Sequence, residues 1–332
     1  MYKSFKGIAA SFVLLIWALP APVNAQEWPQ RSIRLVVGFG AGGGTDIVAR
    51  IIAQSLQEKL GQSVVVENKV GGSGLLAADS VAKAAKDGYT LYLVNNAHVI
   101  LGVMSKALPY DTVKSFDPIG QIAGGGLIAV AHRDFPANSI KDLVEVAKNS
   151  PGKITFASVG VGTTQHFTGE LFKQIAGVDM LHIPYRGSPA AIAAILGKQV
   201  DVLFETVSAV LGQVQSGDLK ALAVTSKERF PAVADVPTAI ESGVLPDYEV
   251  TTWYGLVAPL GTPSSVITKL NRTLGAISAE GVVQERLARA GALPLISSPD
   301  EFRRHMEREF TRWNQVRERA GISQQSTKAY VV

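Results

Sequence analysis

The residues able to do chemistry are unevenly supplied. The chain has five histidines, 28 carboxylates and no cysteine. Without cysteine there are no disulfides, no thiolate zinc sites and no thiol nucleophile. The histidines stand at 98, 132, 166, 182 and 305 and show no metal-ligand spacing. H-E-x-x-H is absent, and so is G-x-S-x-G: Gly71-Gly72-Ser73-Gly74-Leu75 lacks the last glycine, and Ser158 has Phe156 where the first is needed. His166 and Glu170 lie one helical turn apart, the spacing of a surface or capping pair. Asp46 and Glu205 could meet across a cleft as general acid and base, but no motif brings them together.

The stronger signals are three turns rich in glycine, serine or threonine, each between a strand-like and a helix-like run. They are Gly38 to Asp46, Ser158 to Thr164, and Tyr185 to Pro189. The first formally matches G-x-G-x-x-G. It runs on into Gly44-Thr45-Asp46, which puts a carboxylate where a dinucleotide's pyrophosphate would bind, and no Lys-Ser or Lys-Thr follows for a Walker A loop. What remains is physical. Glycines let backbone N–H groups approach a ligand, and a helix start favours an anion. The plain alternative is a tight turn with Thr45 as N-cap. In the third turn Ser188 can cap and Pro189 suits the first helical position. Such turns suit a carboxylate held in a cleft, to which Arg186 could add charge.

The elements that must position these turns alternate. Strands are expected at 33–37, 63–67 and 89–94, with helices at 46–60 and 75–85 between them. This β-α-β-α-β order implies a parallel, doubly wound sheet. The pattern restarts with strands at 127–131, 154–157, 179–184, 200–205 and 221–225, and helices at 140–148, 163–176 and 189–196. A strand at 251–258 and two helices follow. The last helix, 299 to about 320, carries Phe302, Met306, Phe310, Trp313 and Val316 on one stripe, and its Arg/Glu-rich remainder reads as a solvated face. Two α/β lobes without a linker suggest crossing strands, with the ligand beyond the carboxyl ends of the strands.

The N-terminus reads as a secretory signal: Lys3 and Lys6, an apolar run from Gly7 to about Leu19, and Val23-Asn24-Ala25 as the cleavage site. The run falls short of the roughly 20 residues needed to span a membrane. Removing 25 of the 332 residues, two lysines among them and no acid, takes the charge from +4 to +2. That is too little to argue for nucleic acid. The expected mature protein is exported to the periplasm. Asn271-Arg272-Thr273 is a formal glycosylation triplet read as chance.

Several phrases, in order, resemble one family. They include Gly42-Gly43-Gly44-Thr45-Asp46, Glu67-Asn68-Lys69-Val70-Gly71-Gly72-Ser73-Gly74 and Asp87-Gly88-Tyr89-Thr90-Leu91. Later come Tyr110-Asp111, Phe116-Asp117-Pro118-Ile119, Gly160-Val161-Gly162-Thr163 with His166, and Ile183-Pro184-Tyr185-Arg186-Gly187. Gly197-Lys198-Gln199-Val200-Asp201 and Trp253-Tyr254-Gly255-Leu256-Val257-Ala258-Pro259 complete the set. The chain resembles the substrate-binding proteins of tripartite tricarboxylate transporters, the Bug (Bordetella uptake gene) family.

The resemblance implies a two-lobed α/β periplasmic binding protein of the type II-like Venus flytrap kind, each lobe a mostly parallel sheet flanked by helices. Residues 1–25 are the signal peptide, 26–124 and 252–332 form lobe 1, and 125–251 form lobe 2. It implies a monomer without cofactor or metal that captures a small carboxylate and hands it to permease subunits in the membrane. The ligand site would draw on Phe39, Gly43, Gly44, Thr45 and Asp46; on Ser158, Gly160, Gly162, Thr163 and His166; and on Tyr185, Arg186, Gly187 and Ser188. The region Asn95-Asn96-Ala97-His98 and the strand end Phe204-Glu205-Thr206 would help set specificity, with Asn96, His98, Phe204 and Glu205 as the contacts. Glu205 stands where Asp or a small residue is frequent, and would repel a second carboxylate or welcome an amine. An exported enzyme using Asp46, His166 or Glu205, and a sensor serving a membrane receptor, are the alternatives.

Overall fold

The computed structural model describes residues 1–2 and 27–326, so the signal-peptide reading falls almost wholly outside the described residues. The chain runs β1 (Ile33–Val37), α1 (Gly44–Leu60), β2 (Val64–Asn68), α2 (Leu75–Ala82), β3 (Thr90–Asn95), α3 (Asn96–Met104) and β4 (Phe116–His132). It continues with α4 (Ile140–Asn149), β5 (Thr155–Ser158), α5 (Thr164–Ala176), β6 (Leu181–Pro184), α6 (Ser188–Leu196), β7 (Val202–Thr206), α7 (Val207–Gln215) and β8 (Leu219–Val224). The last part is β9 (Thr251–Pro259), α8 (Ser264–Ser278), α9 (Gly281–Arg289), β10 (Leu293–Pro294) and α10 (Pro299–Arg319).

The strands lie in the order β2-β1-β3-β9-β4-β7-β5-β6, with β8 and β10 also on β4. β2, β1 and β3 are parallel, as are β6, β5 and β7. Each trio is a βαβαβ unit whose crossover helices cover its faces. The sheets are more mixed than expected, because antiparallel strands join the trios: β9 on β3, then β4 on β9 and β7. β4 serves both lobes. Its stretch Phe116 to Gly126 pairs with β9, and Leu127 to Ala131 pairs with β7.

Burial follows helical and strand spacing. α1 turns Val48, Ile51, Ile52 and Leu56 inward and ends at Gly61, whose left-handed backbone closes the helix with an N–H to Gln57 O. α10 starts with a capping box between Ser298 and Glu301 and buries Phe302, Met306, Trp313 and Val316. Phe167 of α5 meets Trp313 edge-on at 5.8 Å, so α10 packs against both lobes.

One face of α10 departs from the sequence reading. Glu309 is buried, and its Oε2 accepts from Asn96 Nδ2 at 3.2 Å, Trp253 Nε1 at 3.2 Å and Trp313 Nε1 at 3.0 Å. These donors come from α3, β9 and α10 itself, so only tertiary packing makes the position an interior one.

Candidate functional site between the lobes

Five helices begin at one cavity, lined from α1 by Gly43, Gly44 and Thr45, from the start of α3 by Asn95 and Ala97, and from α5 by Thr164 and Gln165. α6 adds Gly187 and Ser188, α7 adds Thr206, and Phe39, Gly40, Val159 and Thr252 complete the wall. None of these side chains is ionisable.

The helix starts differ in how their first N–H groups are used. α3 is capped by Asn95 Oδ1, which accepts from Ala97 N at 3.0 Å, and α5 by Thr163 Oγ1, which accepts from His166 N at 3.4 Å. α1, α6 and α7 start at Gly43, Gly187 and Thr206 without a side-chain cap. Thr45 and Ser188 are therefore not the N-caps expected; each lies inside its helix. Their helices start earlier, after a glycine in each case: Gly43 is extended, and Gly187 has a φ of 91° that glycine adopts without strain. An uncapped start leaves backbone N–H groups without intrahelical partners and a partial positive charge of about half a unit. Three such starts line one cavity, an arrangement suited to an anion held by backbone groups.

Several expected contacts hold the loops instead of lining the cavity. Asp46 is buried beside the first loop: Oδ2 accepts from Gly42 N at 3.0 Å and Arg50 Nε at 2.9 Å, and Oδ1 from Asn68 Nδ2 at 2.9 Å. Burial works to raise its pKa, but Arg50, the Gly42 N–H and Asn68 together hold the carboxyl below its usual range. Thr163 Oγ1 donates to Gly160 O at 2.7 Å, and the fully buried Ser158 hydroxyl lies 3.0 Å from the same carbonyl and 2.6 Å from His182 Nε2. His166 is buried, not a surface partner of Glu170. Its Nδ1 accepts from Gly162 N at 3.2 Å, and its ring stacks on His182 at 4.1 Å. Burial, with Lys173 nearby, pushes its pKa down to about 4, so it works as a neutral acceptor.

Four residues expected to set specificity sit behind the wall. Asn96 is fully buried and bonds Glu309, Thr251 O and Trp253 N; Asn95 takes the cavity position. His98 bonds Thr112 O at 2.7 Å and stacks on Tyr110. Phe204 packs between Phe156 and Phe172. Glu205 lies beneath the wall, where Oε1 accepts from Gln165 Nε2 at 2.8 Å, Thr206 N at 2.7 Å and Thr206 Oγ1 at 3.1 Å. Burial raises the Glu205 pKa. The Thr206 N–H, Gln165, Ser188 and the Thr206 hydroxyl oppose that, though Oε2 is buried without a well-formed hydrogen bond. Arg186 is exposed, and neither it nor Tyr185 lines the cavity. Gln165, which does, was missed; Thr206, which also does, was expected only as part of the strand end Phe204-Glu205-Thr206. Gln165 follows a Gly-Thr-Thr helix start, a signal that could have found it.

A wider groove lies between residues 105–114 and α10. Its charged groups, Lys106, Asp111, Lys114 and Glu307, are exposed, and no helix starts converge on it.

The lobes touch around the cavity. Ser73 Oγ donates to Val161 O at 2.7 Å, and Gly43 and Gly44 approach Ser188 and Thr206 closely.

Two α/β lobes joined through a shared strand, with helix starts facing the cleft, define the fold of a periplasmic solute-binding protein. The pattern of the family described as "Tripartite tricarboxylate transporter family receptor" matches residues 48–322, and the chain belongs to that family. It is 36% identical over 297 residues to protein BugT of Bordetella pertussis, covering 89% of this chain and 91% of that one. It is 38% identical to the solved periplasmic binding protein BugD, with a TM-score of 0.84, covering 90% of this chain and 100% of that one. The structure of R. palustris Rpa4515 with adipate is 34% identical, with a TM-score of 0.86, covering 90% of this chain and 99% of that one. Among the described residues no helix is long and apolar enough to cross a membrane.

Proposed function

We propose that this protein, exported by its signal peptide to the periplasm, captures a small carboxylate between its lobes and delivers it to a tripartite tricarboxylate-type permease. The observation that carries this reading is the convergence of five helix starts, three without side-chain caps, on a cavity lined by no ionisable side chain. Fixed N–H groups and dipoles would bind one carboxylate without a lysine or arginine. Family membership and the adipate complex of Rpa4515 support the ligand class. The lobes are taken as residues 26–124 with 252–332, and 125–251. The direct contacts are Phe39, the Gly43 to Thr45 start of α1, Gly187 and Ser188, and the wall residues Gln165 and Thr206. Asp46, Ser158, Gly160, Gly162, Thr163 and His166 shape the loops behind them.

A thermal-shift screen of mono-, di- and tricarboxylates, amino acids and aromatic acids tests the reading. A ligand at 100 times its Kd stabilises the folded state by about 2.7 kcal/mol, a rise in midpoint of several degrees. If no acid in the screen moves the midpoint, carboxylate capture is wrong.

A further inference from the structure

The cavity's walls differ in what their polar groups can do. On the lobe 1 side, Thr45 Oγ1 accepts from Asn95 Nδ2 at 2.9 Å, which leaves its own hydrogen for the cavity beside the N–H groups of α1. That wall donates. Facing it, Gln165 and Thr206 both line the cavity, and both are bonded to Glu205 behind them.

Glu205 Oε1 can only accept. The bond from Gln165 Nε2 therefore fixes the amide: its NH2 group faces Glu205 and its carbonyl oxygen is the free end. Among the described residues no group donates to that oxygen. Thr206 likewise gives its hydroxyl hydrogen to Glu205, so its oxygen acts toward its surroundings as an acceptor, already taking one bond from Ser208 Oγ at 3.2 Å. The arrangement holds in either protonation state. Burial favours the neutral acid, but Oε1 already takes three donors, so a proton would sit on the unpartnered Oε2.

We propose that Glu205, through Gln165 and Thr206, sets an acceptor patch into the lobe 2 wall beside the N–H groups of α6 and α7, so that the protein selects carboxylates carrying a hydroxyl or amino group near the bound carboxylate. This rests on the capture of a carboxylate argued above and names its class further. Glu205 is a positioning residue and does not touch the ligand. An unsubstituted acid leaves the Gln165 oxygen desolvated and unpaired, and a second carboxylate facing it adds repulsion. Sites built to hydrogen-bond a substrate group reject analogues that lack it far more strongly than they reject a missing methylene.

The test is calorimetry on the mature chain with two matched series: propionate, lactate and alanine; succinate, malate and aspartate. In the series that binds, the hydroxy or amino acid should bind at least about tenfold more tightly than its unsubstituted parent. In Glu205→Met no acceptor is left for the Gln165 amide, which can turn its NH2 inward and bring the ratio of the two affinities toward one. A merely structural role for Glu205 would weaken all the acids alike and leave the ratio standing. Gln165→Met, which removes the acceptor without disturbing the buried carboxylate's backbone contact, should also collapse the ratio if Glu205→Met fails to fold. Equal affinities within the wild-type series overturn the proposal, as does a ratio that survives in either variant. A tight ligand from the wider screen that lacks any donor overturns it while leaving carboxylate capture intact. A screen with no ligand at all removes both.

Discussion

Asp46 occupies the third residue of α1, where a carboxylate suits the helix start, yet its oxygens are spent on the Gly42 N–H, Arg50 and Asn68. It holds the glycine loop in the shape that opens the α1 N–H groups to the cavity. Asp46→Ala should raise the ligand Kd about tenfold by loosening that loop. It should also cost about 2 kcal/mol in urea unfolding, because partly buried donors lose their acceptor. Wild-type affinity by calorimetry would show that the loop keeps its shape without it. The buried histidines predict a pH effect. Burial lowers the pKa of His98 to about 4, of His166 to about 4 and of His182 to about 3. A folded pKa below the unfolded 6.5 means stability is fully present above pH 6.5 and is lost as pH falls towards these values. The unfolding midpoint should drop steadily from pH 7 to pH 4.5. His98→Phe should make that fall shallower, by up to about 1.4 kcal/mol per pH unit. A flat midpoint over this range would place these rings in water instead.

At the scale of elements, α10 is fastened by a group its own pattern hides. Glu309 gathers donors from α3, β9 and α10, so Glu309→Ala would strand Asn96 and two indole N–H groups in the interior. The expected loss is about 3 kcal/mol of unfolding free energy, with ligand affinity in the still-folded variant changing less than threefold. A loss below 1 kcal/mol in denaturant titration would mean the network is dispensable. Glu309 was illegible because neighbours along the helix are charged and two of its three partners, Asn96 and Trp253, lie far away in sequence. The starts of α1, α5 and α6 were legible because glycine, serine or threonine separates an apolar run from a helical stripe. α3 and α7 were not: β3 runs into α3 at Asn95–Asn96, and β7 into α7 at Thr206–Val207, with no residue between strand and helix. That hid two of the five cavity-facing starts. It also left Asn95, the cavity residue, undistinguished from Asn96, which begins α3 and turns away from the cavity. In β4, Gly120 and Gly124 to Gly126 interrupt the apolar pattern, so only its last stretch read as a strand.

For the whole molecule, the proposed capture between the lobes needs them to approach, and two glycines set how closely. A Cβ at Gly44 would lie 2.4 Å from Thr206 Oγ1 and 2.7 Å from Ser208 Oγ, both across the cleft. At Gly43 the nearest atom would be Ser188 Oγ at 3.3 Å, a contact that small shifts absorb. Gly44 is inside α1 with an ordinary helical backbone, so alanine is tolerated within lobe 1 and even favoured by helix propensity. Gly44→Ala therefore separates folding from closure. The unliganded unfolding midpoint should stay within about 2 °C of wild type, since the expected change is a few tenths of a kcal/mol. The Kd should rise tenfold or more, because the closed state now carries a clash of the new Cβ with the short Thr206 and Ser208 side chains, and ligand gains only from contacts both lobes make together. Small-angle scattering supplies the independent readout: ligand should shrink the wild type and leave Gly44→Ala expanded. Wild-type affinity together with full compaction in the variant would mean that the closed state holds its lobes farther apart than the Gly44–Thr206 approach requires.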